Sequence, residues 1–184
     1  TDTAGSGRIP ACFNNLVGLK PSRGLLSATG LVPACRSLDC ISIFALNADD
    51  ANEVLDVAAT FDEADGYSRR NPYSNTKRIY GCAPAQLNIG VIRADQLEFF
   101  GDEEYKTCYE NTVKALAENG ATLTEIDFAP FFEAAKLLYE GPWVSERYIA
   151  AQPLIDENPD AVFPVVREII APGGKPKATD LFKA

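Results

Sequence analysis

The alternation of apolar and polar segments in the middle of the chain limits its fold more than any other feature. Residues 87–92, Leu-Asn-Ile-Gly-Val-Ile, have the composition of a strand. Residues 102–119, closed by Gly120, carry the start and stop signals of a helix. Residues 121–128 alternate and predict the next strand. This β-α-β order favours an α/β layer in which the two strands are parallel neighbours.

The segments on either side predict further elements of the same layer. We expect a short helix or turn that leads into a strand at 11–19, a buried strand at 37–46, an amphipathic helix at 49–61 and a surface loop at 62–82. Asp39 interrupts the apolar run of the second strand. A carboxylate there is costly unless it is hydrogen-bonded. We therefore expect backbone or arginine partners for it; the alternative is that Asp39 lies in a loop.

Charge and cysteine content exclude several classes of protein. The 184 residues include 26 acidic and 17 basic side chains, a net charge of -9, and the basic ones form no long block. Nucleic-acid binding normally needs such a block, so we expect no nucleic-acid partner. No apolar run approaches the roughly 20 residues that span a bilayer, so we expect no membrane partner. The cysteines are odd in number, lack a C-x-x-C pair and fit reduced thiols in the cytoplasm: Cys12, Cys35, Cys40, Cys82 and Cys108.

The chain contains no histidine. A Ser-His-Asp triad, a Cys-His pair and the usual histidine-based zinc sites therefore cannot be assembled from it. Any nucleophilic serine needs another base, and a lysine kept neutral by its surroundings is the known alternative. We expect neither a cofactor nor a metal.

The first ten residues, Thr-Asp-Thr-Ala-Gly-Ser-Gly-Arg-Ile-Pro, form a loop rich in small residues around one hydroxyl, that of Ser6. Successive backbone N–H groups in such a loop form a concavity that binds negative charge. A serine within the loop could attack a carbonyl with oxyanion donors already in place. The alternative is a glycine-rich loop that only turns the chain.

The whole run from this loop through Gly-Leu-Lys-Pro-Ser at 18–22 resembles the amidase signature family of serine amidohydrolases, which use a Ser, cis-Ser, Lys triad. The resemblance implies an α/β fold with a mixed, mostly parallel sheet covered by helices. It also implies that Ser6 is the nucleophile. The oxyanion hole would be formed by the backbone N–H groups of Thr3, Ala4, Gly5 and Ser6. The side chains of Asp2 and Arg8 would support the loop.

The family's lysine and cis-serine lie upstream of this motif, so they precede Thr1. Lys20 belongs to the Gly-Leu-Lys-Pro element after the nucleophile and is not that lysine. The chain opens inside a motif and contains no methionine. We therefore expect residues 1–184 to be part of an amidase domain, inactive on their own.

Residues 131–154 place aromatic and charged side chains at helical spacing. A helix would align Tyr139, Trp143 and Arg147 along one side, with a kink or a fresh start at Pro142. The alternative is a core helix whose aromatic side chains pack and whose Arg147 pairs with an acidic neighbour, Glu146 or Glu140.

Three stretches resemble the allophanate hydrolase branch of the amidase signature family: Pro-Ala-Cys-Arg-Ser-Leu-Asp-Cys at 33–40, Phe-Asp-Glu-Ala-Asp-Gly-Tyr-Ser-Arg at 61–69 and Leu-Tyr-Glu-Gly-Pro-Trp-Val-Ser-Glu-Arg-Tyr at 138–148. The resemblance implies that Tyr139 and Arg147 hold a substrate carboxylate. It implies hydrolysis of allophanate to ammonia and carbon dioxide during urea degradation, by a cytoplasmic enzyme that is a homodimer at full length. The alternatives are another amidase, a subunit of a tRNA-dependent amidotransferase, and a non-catalytic α/β module.

Overall fold

The computed structural model describes residues 1–70 and 87–184. The chain divides into two compact units, one formed by Thr1–Arg78 and Leu137–Ala184 and the other by Ile79–Lys136. Part of the predicted loop at 62–82, and with it Cys82, lies outside the described residues. The described helices and strands, in chain order, are α1 (Arg8–Phe13), β1 (Val17–Leu19), β2 (Ile43–Ala45), α2 (Ala48–Ala58), β3 (Asn88–Ile92), α3 (Glu103–Glu118), β4 (Thr122–Ile126), α4 (Ala129–Glu140), α5 (Val144–Glu157), α6 (Pro164–Ile170) and α7 (Ala178–Lys183).

In the first unit, β1 and β2 pair antiparallel, with Val17 opposite Ala45. Helix α2 packs on this pair, and the buried cluster consists of Leu26, Ile43, Ala51 and Leu55. The side chain of Asn47 caps α2 by accepting a hydrogen bond from the Asp50 N–H. The predicted amphipathic helix is thereby confirmed, with Ala51 and Leu55 on its buried side.

The strand predicted at 37–46 is shorter than expected, because only Ile43–Ala45 is a strand. Residues 36–38 form a turn, closed by hydrogen bonds from the N–H groups of Leu38 and Asp39 to the Cys35 carbonyl. Backbone groups that form a turn cannot also pair with a strand, so the apolar composition of 37–46 as a whole did not decide the conformation of its first residues.

The predicted break at Pro142 is confirmed: α4 ends at Glu140 and α5 begins at Val144. A proline cannot donate the backbone hydrogen bond that would continue α4. Gly141 also fits closely against α4, since a Cβ there would lie 2.5 Å from the Leu137 carbonyl oxygen.

In the second unit, β3 and β4 are parallel, with Ile89 opposite Leu123, and α3 connects them along the chain. The side chain of Asp102 caps α3 by accepting from the Tyr105 N–H. Gly120 follows α3 with a φ of +90°, which glycine adopts at little cost. The predicted β-α-β order and its parallel strands are confirmed.

The predicted α/β class is confirmed. The described strands form two separate two-stranded sheets, one antiparallel and one parallel. Among residues 1–70 and 87–184, no helix combines the length and the apolar character needed to cross a membrane.

Candidate active site

Asp2 is the fully buried centre of the loop around Ser6. Its carboxylate accepts hydrogen bonds from the Gly5 N–H at 2.6 Å, the Arg8 N–H at 3.1 Å, and Arg8 Nε and Nη2 at 2.8 and 3.1 Å. The hydrogen bond from the Arg8 side chain holds the pKa of Asp2 well below its usual range. One carboxylate thus ties together the loop backbone and the start of α1.

The two glycines beside Ser6 are required by the shape of the loop. Gly5 has a φ of +128°, a conformation that side chains disfavour. Gly7 packs against the next segment, and a Cβ there would lie 2.6 Å from Ser42 Cβ. Ser6 itself is exposed between these two buried glycines. The loop therefore presents the hydroxyl-bearing residue while its neighbours hold the backbone.

The predicted oxyanion donors do not all have the same surroundings. The Gly5 N–H donates to Asp2 Oδ1 and so closes the loop, while its place in the oxyanion hole stays a prediction. The N–H groups of Thr3, Ala4 and Ser6 have no hydrogen-bond acceptor among the described residues. These three donors can stabilise negative charge on a bound molecule.

Lys20 and Asp39 hold the loop from the other side. Lys20 Nζ donates to the Thr3 carbonyl oxygen at 2.9 Å and lies 3.8 Å from Asp2 Oδ1. The Thr3 hydroxyl donates to Asp39 Oδ1 at 2.6 Å. The contact of Lys20 was missed from the sequence, which gives no local signal for a partner 17 residues away.

Asp39 is buried, and its partners are the Thr3 hydroxyl and the N–H groups of Ala34 and Cys35, at 2.9 and 3.1 Å from Oδ2. The expectation of backbone partners is confirmed. The alternative location is also correct, since Asp39 lies outside the strand. The cost of burying a carboxylate pointed to such contacts, although it could not point to Thr3.

Tyr139 and Arg147 come together in the first unit. Arg147 Cζ lies 4.8 Å from the centre of the Tyr139 ring, within the range of a cation–π interaction. Tyr139 is 57% exposed, so it is not a core aromatic. Arg147 Nε is buried and has no hydrogen-bond partner among the described residues. A buried guanidinium donor without a partner is unusual and suits a carboxylate ligand.

Glu146 does not pair with Arg147 but faces a different segment. Its carboxylate accepts hydrogen bonds from Cys35 Sγ at 2.7 Å, from the Ser37 N–H at 3.2 Å and from Ser37 Oγ at 2.5 Å. Burial, and then the nearby carboxylate, raise the pKa of the Cys35 thiol to about 12. The sequence predicted Glu146 only as a possible partner of Arg147, and no local signal near it indicates Cys35 or Ser37.

In the part of the chain that the structure describes, no three His, Cys, Asp or Glu side chains lie close enough together to bind one metal ion. The chemistry available to the described residues is that of an exposed hydroxyl, three backbone donors and a guanidinium.

The chain belongs to the amidase family: the family model described as Amidase matches residues 1–181. It is 43% identical, over 99% of its length, to urea amidolyase of Saccharomyces cerevisiae. It is 42% identical to the solved structure of selenomethionine-substituted Kluyveromyces lactis allophanate hydrolase, with a TM-score of 0.87 over 99% of this chain. The glutamyl-tRNA(Gln) amidotransferase of Chlorobium phaeobacteroides has a subunit that is 42% identical over 68% of this chain and 26% of its own length.

The chain spans only part of these proteins. It covers 10% of the yeast urea amidolyase and 29% of the allophanate hydrolase chain. The match to amidase-signature proteins agrees with the resemblance drawn from the serine loop.

Proposed function

We propose that the full-length protein is a serine amidohydrolase that hydrolyses allophanate to ammonia and carboxylated products that decay to carbon dioxide. The proposal is supported by the names of the relatives matched over 99% of the chain, a urea amidolyase and an allophanate hydrolase. The roles proposed for individual residues are based on the geometry of the site described above.

In the proposed reaction, Ser6 Oγ attacks the amide carbonyl and its proton passes to the base. The carbonyl oxygen becomes negatively charged and accepts hydrogen bonds from the free N–H groups of Thr3, Ala4 and Ser6. Ammonia leaves after protonation of the amide nitrogen, and water then hydrolyses the acyl-enzyme. The family resemblance assigns the base to a lysine that acts through a cis-serine, both upstream of Thr1.

One observation carries the choice of substrate: the buried, unpartnered Nε of Arg147 beside the exposed Tyr139. Allophanate has a carboxylate at the end opposite its reactive amide. A guanidinium presents several N–H donors in a fixed plane and matches a carboxylate, while the Tyr139 hydroxyl supplies another donor. A neutral amide has no group that would use this charge.

The test compares ammonia release from allophanate with release from biuret, in which a neutral carboxamide replaces the carboxylate, and from glutamine. The full-length protein should prefer allophanate. Activity confined to glutamine or other amides would contradict the proposal and would favour the amidotransferase or general-amidase alternatives.

Arg147→Lys isolates the contact to the carboxylate. Lysine keeps the charge but loses the planar set of donors. The resulting fall in kcat/KM for allophanate should correspond to a loss of about 2–4 kcal/mol in transition-state stabilisation, while kcat/KM for biuret should barely change. Arg93→Lys is the matched control, since Arg93 forms an exposed pair with Asp95 in the second unit. Equal losses on both substrates would make Arg147 a structural residue.

We propose in addition that the full-length protein is a cytoplasmic homodimer. Free cysteines support a reducing compartment; among the described residues these are Cys12, Cys35, Cys40 and Cys108. Light scattering of the purified protein should give twice the mass of one chain, and cell fractionation should place it with cytoplasmic markers. A monomeric mass would contradict the proposed homodimer, and recovery in a membrane or secreted fraction would contradict the proposed location.

A further inference from the structure

We infer that Glu146 is a positioning residue for Arg147: it fixes the beginning of α5 to the turn that also holds the serine loop, and so sets where the carboxylate-binding side chain lies. The inference rests on the proposed function, since it assigns Glu146 a role in substrate binding.

Helix α5 is attached to the turn at residues 35–37 through Glu146. Three donors converge on the Glu146 carboxylate, namely the thiol of Cys35 and the N–H and hydroxyl of Ser37. The two segments are more than 100 residues apart in sequence, 109 for Ser37 and Glu146. Local helix formation cannot supply this connection.

The same turn is linked to the serine loop through Asp39. The Cys35 N–H donates to Asp39, and Asp39 accepts from the Thr3 hydroxyl at 2.6 Å. Cys35 therefore donates through its backbone toward the loop and through its thiol toward α5. Its side chain is fully buried; the backbone bond to Asp39 is buried with it, and the thiol bond to Glu146 is partly buried.

The Arg147 side chain has few contacts of its own that fix its position. It follows Glu146 directly in the first turn of α5, and its Nε makes no hydrogen bond to the described residues. Contact with the Tyr139 ring is weakly directional. The guanidinium is thus located mainly by the position of the helix backbone, which Glu146 anchors.

The carboxylate at position 146 is specifically suited to this task. All three groups that face it are donors, and the Cys35 thiol stays protonated at neutral pH because its pKa is raised to about 12. A glutamine amide would offer one acceptor and would direct an NH2 group at these donors. The anchor would loosen without a change in side-chain size.

The experiment measures kcat and KM of the full-length enzyme with Glu146→Gln, using allophanate and biuret. A misplacement of about 1 Å can cost about 100-fold, so we expect kcat/KM for allophanate to fall about 10- to 100-fold, mostly through KM, with biuret changed less than about twofold. The control is Glu157→Gln, an exposed glutamate at the far end of α5, which should leave both substrates unaffected. Equal losses on both substrates, or no loss, would overturn the inference.

Ser37→Ala provides an independent test that removes one hydroxyl and keeps the backbone donor. It should lower kcat/KM for allophanate by about three- to tenfold, in the same selective manner, with a melting temperature lowered by no more than a few degrees. If Glu146→Gln does not fold, this variant decides: a selective loss supports the inference, and an equal or absent loss overturns it.

Arg147→Lys separates failure of the inference from failure of the proposed function. If Arg147→Lys loses allophanate activity selectively while the Glu146 and Ser37 variants do not, the positioning role is wrong and the substrate assignment stands. If Arg147→Lys itself affects both substrates equally, the proposed carboxylate site is wrong, and with it the positioning role.

Discussion

Replacing Asp2 by asparagine perturbs the serine loop at its centre. The substitution keeps the shape of the side chain but removes the charge and turns one acceptor into a donor. Oδ1 of asparagine can still accept from the Gly5 N–H, whereas the Arg8 guanidinium loses its ionic partner. We expect a less stable fold and a less ordered loop.

The expected loss of stability follows from how deeply each member of the Asp2–Arg8 ion pair is buried. The Asp2 side chain is 0% exposed, and breaking a buried pair by removing one partner costs about 3–5 kcal/mol. The Arg8 side chain is 50% exposed, so solvent screens part of that interaction. We therefore expect a loss of about 2–3 kcal/mol in the free energy of unfolding at pH 7.

The effect should depend on pH in one direction. The folded-state pKa of Asp2 is lowered, so its ionic contribution is complete above the unfolded pKa of about 4 and is lost as pH falls below that value. The stability difference between wild type and Asp2→Asn should thus be constant from about pH 8 to 5 and shrink toward pH 3.

Urea titration of the full-length protein, paired with ammonia release from allophanate, measures both consequences. The matched control is Asp56→Asn, an exposed aspartate in α2. A change below about 0.5 kcal/mol together with wild-type turnover would refute the view that Asp2 organises the loop. A difference that grew toward acid pH would refute the assigned protonation state.

Three further outcomes are expected of the full-length protein. Gly7→Ala should lower kcat for allophanate at least about tenfold, because the added Cβ would clash with Ser42 and displace Ser6. Turnover within twofold of the wild-type rate would contradict the close packing of Gly7. Asn47→Ala should lower the free energy of unfolding in urea by about 1 kcal/mol through loss of the α2 cap, and an unchanged stability would show that this cap does not stabilise the helix. Cys35 should react with iodoacetamide at least about 100-fold more slowly in the folded than in the urea-unfolded protein, because its thiol is buried and the pKa of the thiol is raised. Peptide mass spectrometry measures the two rates, and equal rates would place Cys35 at the surface.

The elements that the sequence predicts well are those with local signals. The helix at 103–118 has a capping aspartate before it and a glycine after it, and both lie where the pattern requires. The break at Pro142 follows from a covalent property of proline. Such signals act within a few residues, so a single sequence contains them.

The contacts that define the site are mostly long-range and lie beyond such signals. Nothing near Glu146 indicates that its partners are Cys35 and Ser37, and the segment predicted as a strand at 37–46 begins within a turn. Asp39 is an intermediate case: the cost of burying its charge predicted hydrogen bonds, but the tertiary fold selected Thr3 as a partner. The roles of Ser6, Tyr139 and Arg147 came from family resemblance, and they stay predictions until they are tested by mutation.

The central claim, that Ser6 is the nucleophile of an amidohydrolase, is tested most directly by Ser6→Ala in the full-length enzyme. Only one exposed hydroxyl is lost, so the melting temperature should not change, while ammonia release from allophanate should fall by at least about 1,000-fold. Turnover of allophanate near the wild-type rate by the Ser6→Ala protein would contradict the claim.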